Sequence, residues 1–242
     1  MKQKILLPLL VPFLAACSQP KDKAVETQCA ATLTTCSEQS GKQQASLQFN
    51  NADFYNTDGT FNEDKAKDAV IRLMTYHNYP VAEDTKAKIW VSDYGTGKFT
   101  ELGLACIGYS NNLEDGYMLQ DLFLLPNQML PEHWHIEAGK YPAKMEGWLV
   151  RNGKSYIVGV GEDNLASFTD IKIPQCHDNG AVTVKHVIPA EGGVFVPLAE
   201  KLSHHWQFAG PEGAVISEVA NGHVNENVRH QVKAINDHFL GK

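Results

Sequence analysis

Two histidines flank a tryptophan in the run Pro131-Glu132-His133-Trp134-His135. Where a chain is extended, residues two apart share a face, so both imidazoles of such a run enter one space. Glu146 follows eleven residues after His135 and opens the apolar run GWLVR at 147–151, and an adjacent antiparallel strand brings its carboxylate back beside the pair. A third imidazole is available in SHHWQF, at His204 or His205. Three neutral imidazoles and one carboxylate form an N₃O set suited to Mn, Fe, Co, Ni or Zn, with coordination positions left for substrate oxygens. An HxH pair alone is more readily a surface coincidence or a pair of half-buried histidines than a ligand pair. The glutamate and the distant histidine in a strand-rich chain make it a metal-site candidate.

The elements that must position these groups are mostly short strands. Apolar or alternating runs occur at 88–91, 104–109, 117–125, 147–151, 155–160, 168–173, 182–188, 194–197 and 214–219, separated by Gly, Asn, Asp and Pro. Many short strands punctuated by turns predict an all-β sandwich or barrel. Two helices flank them. In the segment from Phe61 to about Pro80, Ala66, Val70, Leu73, Met74 and His77 recur at helical spacing behind Asn62, a residue suited to an N-cap. At 226–240, Val228, Val232, Ile235 and Phe239 repeat at the same spacing and predict a second, peripheral helix.

The 242 residues carry 21 Lys+Arg against 28 Asp+Glu, a net charge of −7, with no basic block. That balance lacks the electrostatic footprint of a nucleic-acid binder. The N-terminus, MKQKILLPLLVPFLAAC, has a positive head at Lys2 and Lys4 and an apolar stretch from Ile5 to Phe13 too short to span a bilayer. Leu14-Ala15-Ala16-Cys17 resembles the bacterial lipoprotein processing box, which implies a signal peptide over 1–16 and lipidation of Cys17. By the same resemblance Ser18 implies sorting to the outer membrane, on its periplasmic side. Multiple acyl chains make such an anchor stable, each buried CH₂ contributing about 0.8 kcal/mol. Residues 17–46, rich in Lys, Gln, Ser and Thr, read as anchor and flexible tether. Four further cysteines in an oxidising compartment permit two disulfides; proximity favours Cys29 with Cys36, leaving Cys106 with Cys176, and the alternative for the second pair is buried free thiols.

The order HxH, Glu, then a His some seventy positions later resembles the cupins, whose double-sheet, jelly-roll-like barrel (a double-stranded β-helix) holds a metal near one mouth. The likeness extends to Trp90-Val91-Ser92-Asp93-Tyr94-Gly95, Gly97, Phe99, Gly103-Leu104, LFLLPNQMLPEHWH and HHWQFAGPEGAVISE, which in order and spacing resemble the D-lyxose isomerase family from Trp90 to Glu218. The resemblance implies a cupin domain over 47–242. It implies a divalent metal, with Mn first and Zn, Co or Ni as alternatives, held by His133, His135, Glu146 and His205. His205 rather than His204 matches the family's His-aromatic-Gln phrase, as His205-Trp206-Gln207. The implied reaction interconverts D-lyxose and D-xylulose, or D-mannose and D-fructose, with Glu218 as base and Lys144 beside the developing oxygen charge. Trp134, Trp148 and Trp206 offer flat apolar surface to a pentose or hexose, and a homodimer is the implied assembly.

Two departures stand out. Trp134 occupies a position associated in the family with Arg, and VANGHVNENVRHQVK replaces the family's Asp-rich stretch after the Ser-Glu phrase. A sugar- or metal-binding cupin without turnover, or another cupin enzyme such as an oxygenase, remains open on these residues.

Overall fold

The computed structural model describes residues 47–242. The expected signal peptide, the lipidation expected at Cys17, the expected tether and the Cys29/Cys36 pair lie outside the described residues. The chain enters through helix α1 (Glu63–Tyr76) and a single turn, α2 (Thr85–Lys88), then runs through β1 (Trp90–Ser92), β2 (Leu104–Asn112), β3 (Tyr117–Leu124), β4 (Met129–His135) and β5 (Glu146–Gly159). After a long connection come β6 (His186–Glu191), β7 (Phe195–Pro197), β8 (His205–Ala220), β9 (Val228–His230) and α3 (Lys233–Phe239). Among the described residues no helix is long and apolar enough to cross a membrane.

The nine strands among the described residues join one curled antiparallel sheet in the order β1-β2-β3-β8-β4-β9, with β5 paired along β8 and carrying β6 and β7. This is the cupin architecture. Strand β8 is its spine: β3 lies on its C-terminal half, β4 on its N-terminal half, and β5 along both. The inner face is apolar towards its middle, where Leu122, Leu124, Trp148, Val150, Ile157, Ala209, Ala214 and Ile216 form one cluster. Each fully buried Leu, Ile or Val of this kind contributes about 1.5–3 kcal/mol. A second cluster lies between α1 and the outer face of β1–β3 and β8, with Ala66, Val70 and Leu73 against Ile107, Phe123 and Val215. A third, with Trp206, Phe208, Tyr156 and Ile171, lies under the β5–β6 connection.

Bulges set which side chains face inward. Register shifts interrupt β4 between Leu130 and His133, and β5 between Val150 and Ser155. On β8 the partners of Gly153 and Ser155 are Ala214 and Ala209, so residues 210–213 form an extra loop in the strand. Each shift resets the alternation, which would otherwise alternate strictly. His205 and Glu218 are thirteen apart, an odd interval. They nonetheless share the inner face, because the 210–213 bulge lies between them.

Helix α1 begins as predicted, with the Asn62 side chain accepting from Lys65 N–H. Four expectations are corrected. The run at 168–173 is not a strand, and strand structure near 182–188 begins only at His186. The runs 147–151 and 155–160 belong to the single strand β5. The helix expected over 226–240 begins at Lys233, because Val228–His230 pair with the free edge of β4, from His133 to His135. An open sheet edge supplies backbone partners that local helical periodicity does not register.

The β5 and β8 bulges meet at Gly153 (φ +69°) and Gly213 (φ +71°), where a Cβ on Gly153 would lie 2.1 Å from the Gly213 carbonyl oxygen. Gly153→Ala is therefore expected to lose roughly 2–4 kcal/mol of stability from left-handed strain and backbone collision. Denaturant unfolding checks this, and an unchanged midpoint would refute the role given to the bulge.

Candidate active site

The strand register assembles the site in two rows. His230 on β9 pairs with His133 on β4, which pairs with His205 on β8. Further along the same inner face, Gly108 on β2, Gln120 on β3, Glu218 on β8 and Trp148 on β5 are successive partners. Between the rows lies a cavity of about 360 Å³ whose lining includes His133, His135, Lys144 and Glu218.

Ligand nitrogens of His133, His135 and His205 lie within 4.8 Å of one another, and all three residues are buried. His133 Nδ1 meets the Pro131 carbonyl at 2.8 Å and His205 Nδ1 the Ser203 carbonyl at 3.1 Å. A carbonyl only accepts, so both Nδ1 atoms carry the proton and both Nε2 atoms keep a lone pair. Glu146 Oε1 lies 3.0 Å from His135 Nε2 and 3.2 Å from His205 Nε2. Neither contact has hydrogen-bond geometry, and all three atoms are buried without a partner. Three imidazoles and a carboxylate oxygen converging in this way fit a divalent cation, which would partner every orphaned atom at once.

The carboxylates are linked by Lys144, whose Nζ lies 2.8 Å from Glu146 Oε2 and also donates to Glu218 Oε1. All three side chains are almost wholly buried. Burial by itself would raise Glu146, but the Lys144 ammonium beside it holds it well below the usual carboxylate range. Glu218 lies above its ordinary value because burial, together with the Glu146 charge, outweighs Lys144. Burial opposes the Lys144 charge, yet the two carboxylates keep the ammonium protonated. The site thus holds one firmly ionised carboxylate and one that accepts a proton more readily, the division a ligand and a base require.

Other expected residues fall elsewhere. His204 points to the far side of the sheet, where Nδ1 meets the wholly buried Glu132 carboxylate at 2.8 Å and the ring stacks on Trp134 at 4.0 Å. Trp134 is therefore outside the cavity, as alternation on β4 requires with His133 and His135 inside. Trp206 is likewise outside it, buried in the third cluster with its indole N–H donating to the Val184 carbonyl at 3.0 Å. Trp148 shares the inner face, packed 5.1 Å from the His205 ring. The tryptophan that lines the cavity is Trp90, which is 43% exposed. Cys106 and Cys176 are free thiols, so the second disulfide does not form. Cys106 is held by β2 at the cavity wall, paired with Trp90 and Leu122, whereas Cys176 belongs to the β5–β6 connection.

His223 and His230 also line the cavity and were not legible as site residues. Neither has a second histidine at strand spacing, and both lie in or beside the segment that reads as helix. Burial lowers His135 and His223 to about 4 and His230 to about 3.

No family model matches the chain. A D-lyxose ketol-isomerase from Thermofilum sp. (strain ex4484_79) is 30% identical over 162 residues, covering 67% of this chain and 87% of that protein. The chain belongs to the D-lyxose ketol-isomerase family. It is thus an enzyme of the sugar-isomerase class. Another relative, the D-lyxose ketol-isomerase of Cohnella laeviribosi, is 29% identical over 158 residues, covering 65% of this chain and 83% of that protein. The fold likeness is wider: the L-ribose isomerase of Cellulomonas parahominis superposes with a TM-score of 0.53 at 13% identity, covering 78% of this chain and 97% of that one. The L-ribose isomerase of Acinetobacter sp. DL28, in complex with L-ribose, gives 0.52 at 12% identity with the same coverage.

For this member of the D-lyxose ketol-isomerase family, the depressed imidazoles have a consequence for stability. His135, His223 and His230 lie below the unfolded value of about 6.5, so between about pH 6.5 and 4 the unfolded chain binds protons that the native state does not. Metal-free stability is therefore expected to fall as pH drops through that window. Glu146 acts in the same direction at lower pH, while Glu218, held above its ordinary value, acts in the opposite one. Calorimetric Tm of chelator-treated protein at pH 7 and pH 4.5 measures it, and an equal or higher Tm at pH 4.5 would sink the assignment of neutral buried imidazoles.

Proposed function

We propose that this protein is a divalent-metal-dependent aldose–ketose isomerase acting on D-lyxose and D-xylulose, with D-mannose and D-fructose as a second pair. The observation that carries the reading is the buried run Glu146–Lys144–Glu218 beside three convergent imidazoles, at a cavity lined by His133, His135, Lys144 and Glu218. His133, His135, Glu146 and His205 would hold the metal, with Mn²⁺ the first candidate. When bound, the ion supplies a Lewis acid for the carbonyl and adjacent hydroxyl of an open-chain sugar.

The remaining chemistry belongs to side chains. Glu218 takes the proton from C2, next to the carbonyl, and returns it to C1, while the C2 hydroxyl proton passes to the former carbonyl oxygen, so that aldose becomes ketose with no net gain or loss of atoms. Its raised proton affinity makes it a better base than an ordinary carboxylate. Lys144 orients the Glu218 oxygen and provides an N–H for the sugar oxygen that gains charge as the proton leaves. Gln120, opposite Glu218 on β3, offers a polar contact on the same row.

The test is ketose formation from D-lyxose or D-mannose by Mn²⁺-loaded protein in D₂O, followed by NMR with deuterium read at the α carbon. Metal-dependent ketose supports the reading; a folded, metal-loaded protein that makes none across pentoses and hexoses refutes it in favour of binding without turnover. His135→Ala is expected to lose both metal and activity. Glu218→Gln is expected to keep the metal and lose about 10²–10⁴ in kcat, together with an acid limb in the wild-type pH profile that lies above the ordinary carboxylate value. A metal-free Glu218→Gln protein would overturn this division of labour.

The processing box at Leu14–Cys17 supports a further part of the proposal, a lipid anchor on the periplasmic side of the outer membrane. Cys17→Ser is expected to move the protein from the membrane to the soluble fraction on cell fractionation, and retention at the membrane would refute the anchor.

A further inference from the structure

The segment after β8, which departs from the family pattern, supplies one wall of the cavity through His223, Asn225, Val228 and His230. His230 is the anomaly in that wall. It is 5% exposed, and both ring nitrogens are buried without a hydrogen-bond partner. Tyr94 and Phe239 meet it edge-on at 5.1 and 5.2 Å, and His133 lies 5.6 Å away. A phenyl ring would fill such an aromatic box without stranding two polar atoms, and buried polar atoms are nearly always partnered. The convergent ligand nitrogens are those of His133, His135 and His205, and His230 is not one of them.

The missing partner can be identified by what a sugar brings. An open-chain pentose has five oxygens, of which the reaction engages the carbonyl and its neighbour. The other hydroxyls need hydrogen bonds that Leu122, Leu130 and Val228, also in the lining, cannot make. In the paired row His230–His133–His205, His230 stands one strand beyond His133, away from Lys144 and Glu218 on the β5–β8 side. A neutral imidazole offers one donor and one acceptor, matching hydroxyl groups of either orientation. His223 adds a second contact of this type: its Nε2 donates to Asn225 Oδ1 at 3.2 Å, and its Nδ1 is buried without a partner.

We propose that His230 is a substrate-binding residue whose ring nitrogens hydrogen-bond sugar hydroxyls beyond the two reacting carbons, so that this segment of the chain sets sugar preference. The proposal rests on the isomerase reading. A site that hydrogen-bonds a hydroxyl rejects analogues that lack it or misplace it, because its own buried polar atoms are then left unpaired.

The test uses the Mn²⁺-loaded full chain titrated calorimetrically with xylitol and D-arabinitol, unreactive polyols that present open-chain hydroxyls. His230→Phe is expected to bind at least one of them about tenfold or more weakly, to raise KM more than it lowers kcat, and to keep its full metal content by elemental analysis. Its ligand-free Tm is expected to equal or exceed that of wild type, whereas a histidine kept for structure would give a lower one. His230→Gln, which restores a donor and an acceptor, is expected to recover part of the affinity, and His230→Ala carries the same binding expectation should the phenylalanine variant fail to fold. Unchanged pentitol affinity, or loss of metal from a folded variant, overturns the proposal while leaving the isomerase reading intact. A wild-type protein that binds no pentitol and forms no ketose refutes both.

Discussion

The Glu146 carboxylate is the interaction on which the arrangement of the site depends. One oxygen holds Lys144 and the other faces the imidazoles of His135 and His205, all within a region almost closed to solvent. Desolvating an ion costs several kcal/mol, and the cost is recovered only where opposite charge and hydrogen bonds meet it in good geometry. Lys144 meets it from one side. On the other side the Nε2 atoms of His135 and His205 face it without a hydrogen bond and leave its second oxygen unpartnered. That asymmetry is what fits the site to a cation. Glu218 shares the same ammonium, but its burial and the neighbouring Glu146 charge leave it the higher affinity for a proton.

The sheet exists to hold this charge cluster in register. Antiparallel pairing delivers residues from β4, β8 and β9 to one row and from β2, β3, β5 and β8 to another, and three bulges correct the alternation so that the necessary side chains face inward. The apolar cluster of Leu122, Trp148, Val150, Ile157 and Ile216 fills the inner face beyond the cavity, which keeps the dielectric low around Glu146 and Lys144. On the opposite face of β4, the wholly buried Glu132 receives the Thr183 N–H at 2.7 Å and meets His204 at 2.8 Å. Through these contacts the β5–β6 connection is tied to the strand that carries His133 and His135, and to the residue adjoining His205.

Legibility in the sequence followed the range of the interactions. Period-two spacing was enough to bring His133 and His135 to one face, since that relation is local to a strand, and the Asn62 cap of α1 was equally local. Spacing along the chain brought in Glu146 and a third imidazole, and the likeness to known isomerases chose His205 over His204 and added Lys144 and Glu218; the structure brings these residues together, and their individual roles are a matter for the variants. Trp134 and Trp206 were misplaced because an aromatic side chain is equally at home in a cavity wall and in a core, and only strand parity separates the two.

The sequence by itself determined the all-β class, the α1 helix and the collection of ligating residue types, because hydrophobic period and residue chemistry are properties of short segments. Tertiary structure alone decided the rest. Whether Val228–His230 coil or extend depended on a vacant edge of β4 nearly a hundred residues earlier, and that pairing is what carries His230 into the cavity. Whether His204 or His205 turns inward, and whether Glu218 joins it, depended on bulges defined by two strands together. Cross-strand register couples residues distant in sequence through backbone hydrogen bonds, and no pattern within either strand alone encodes it.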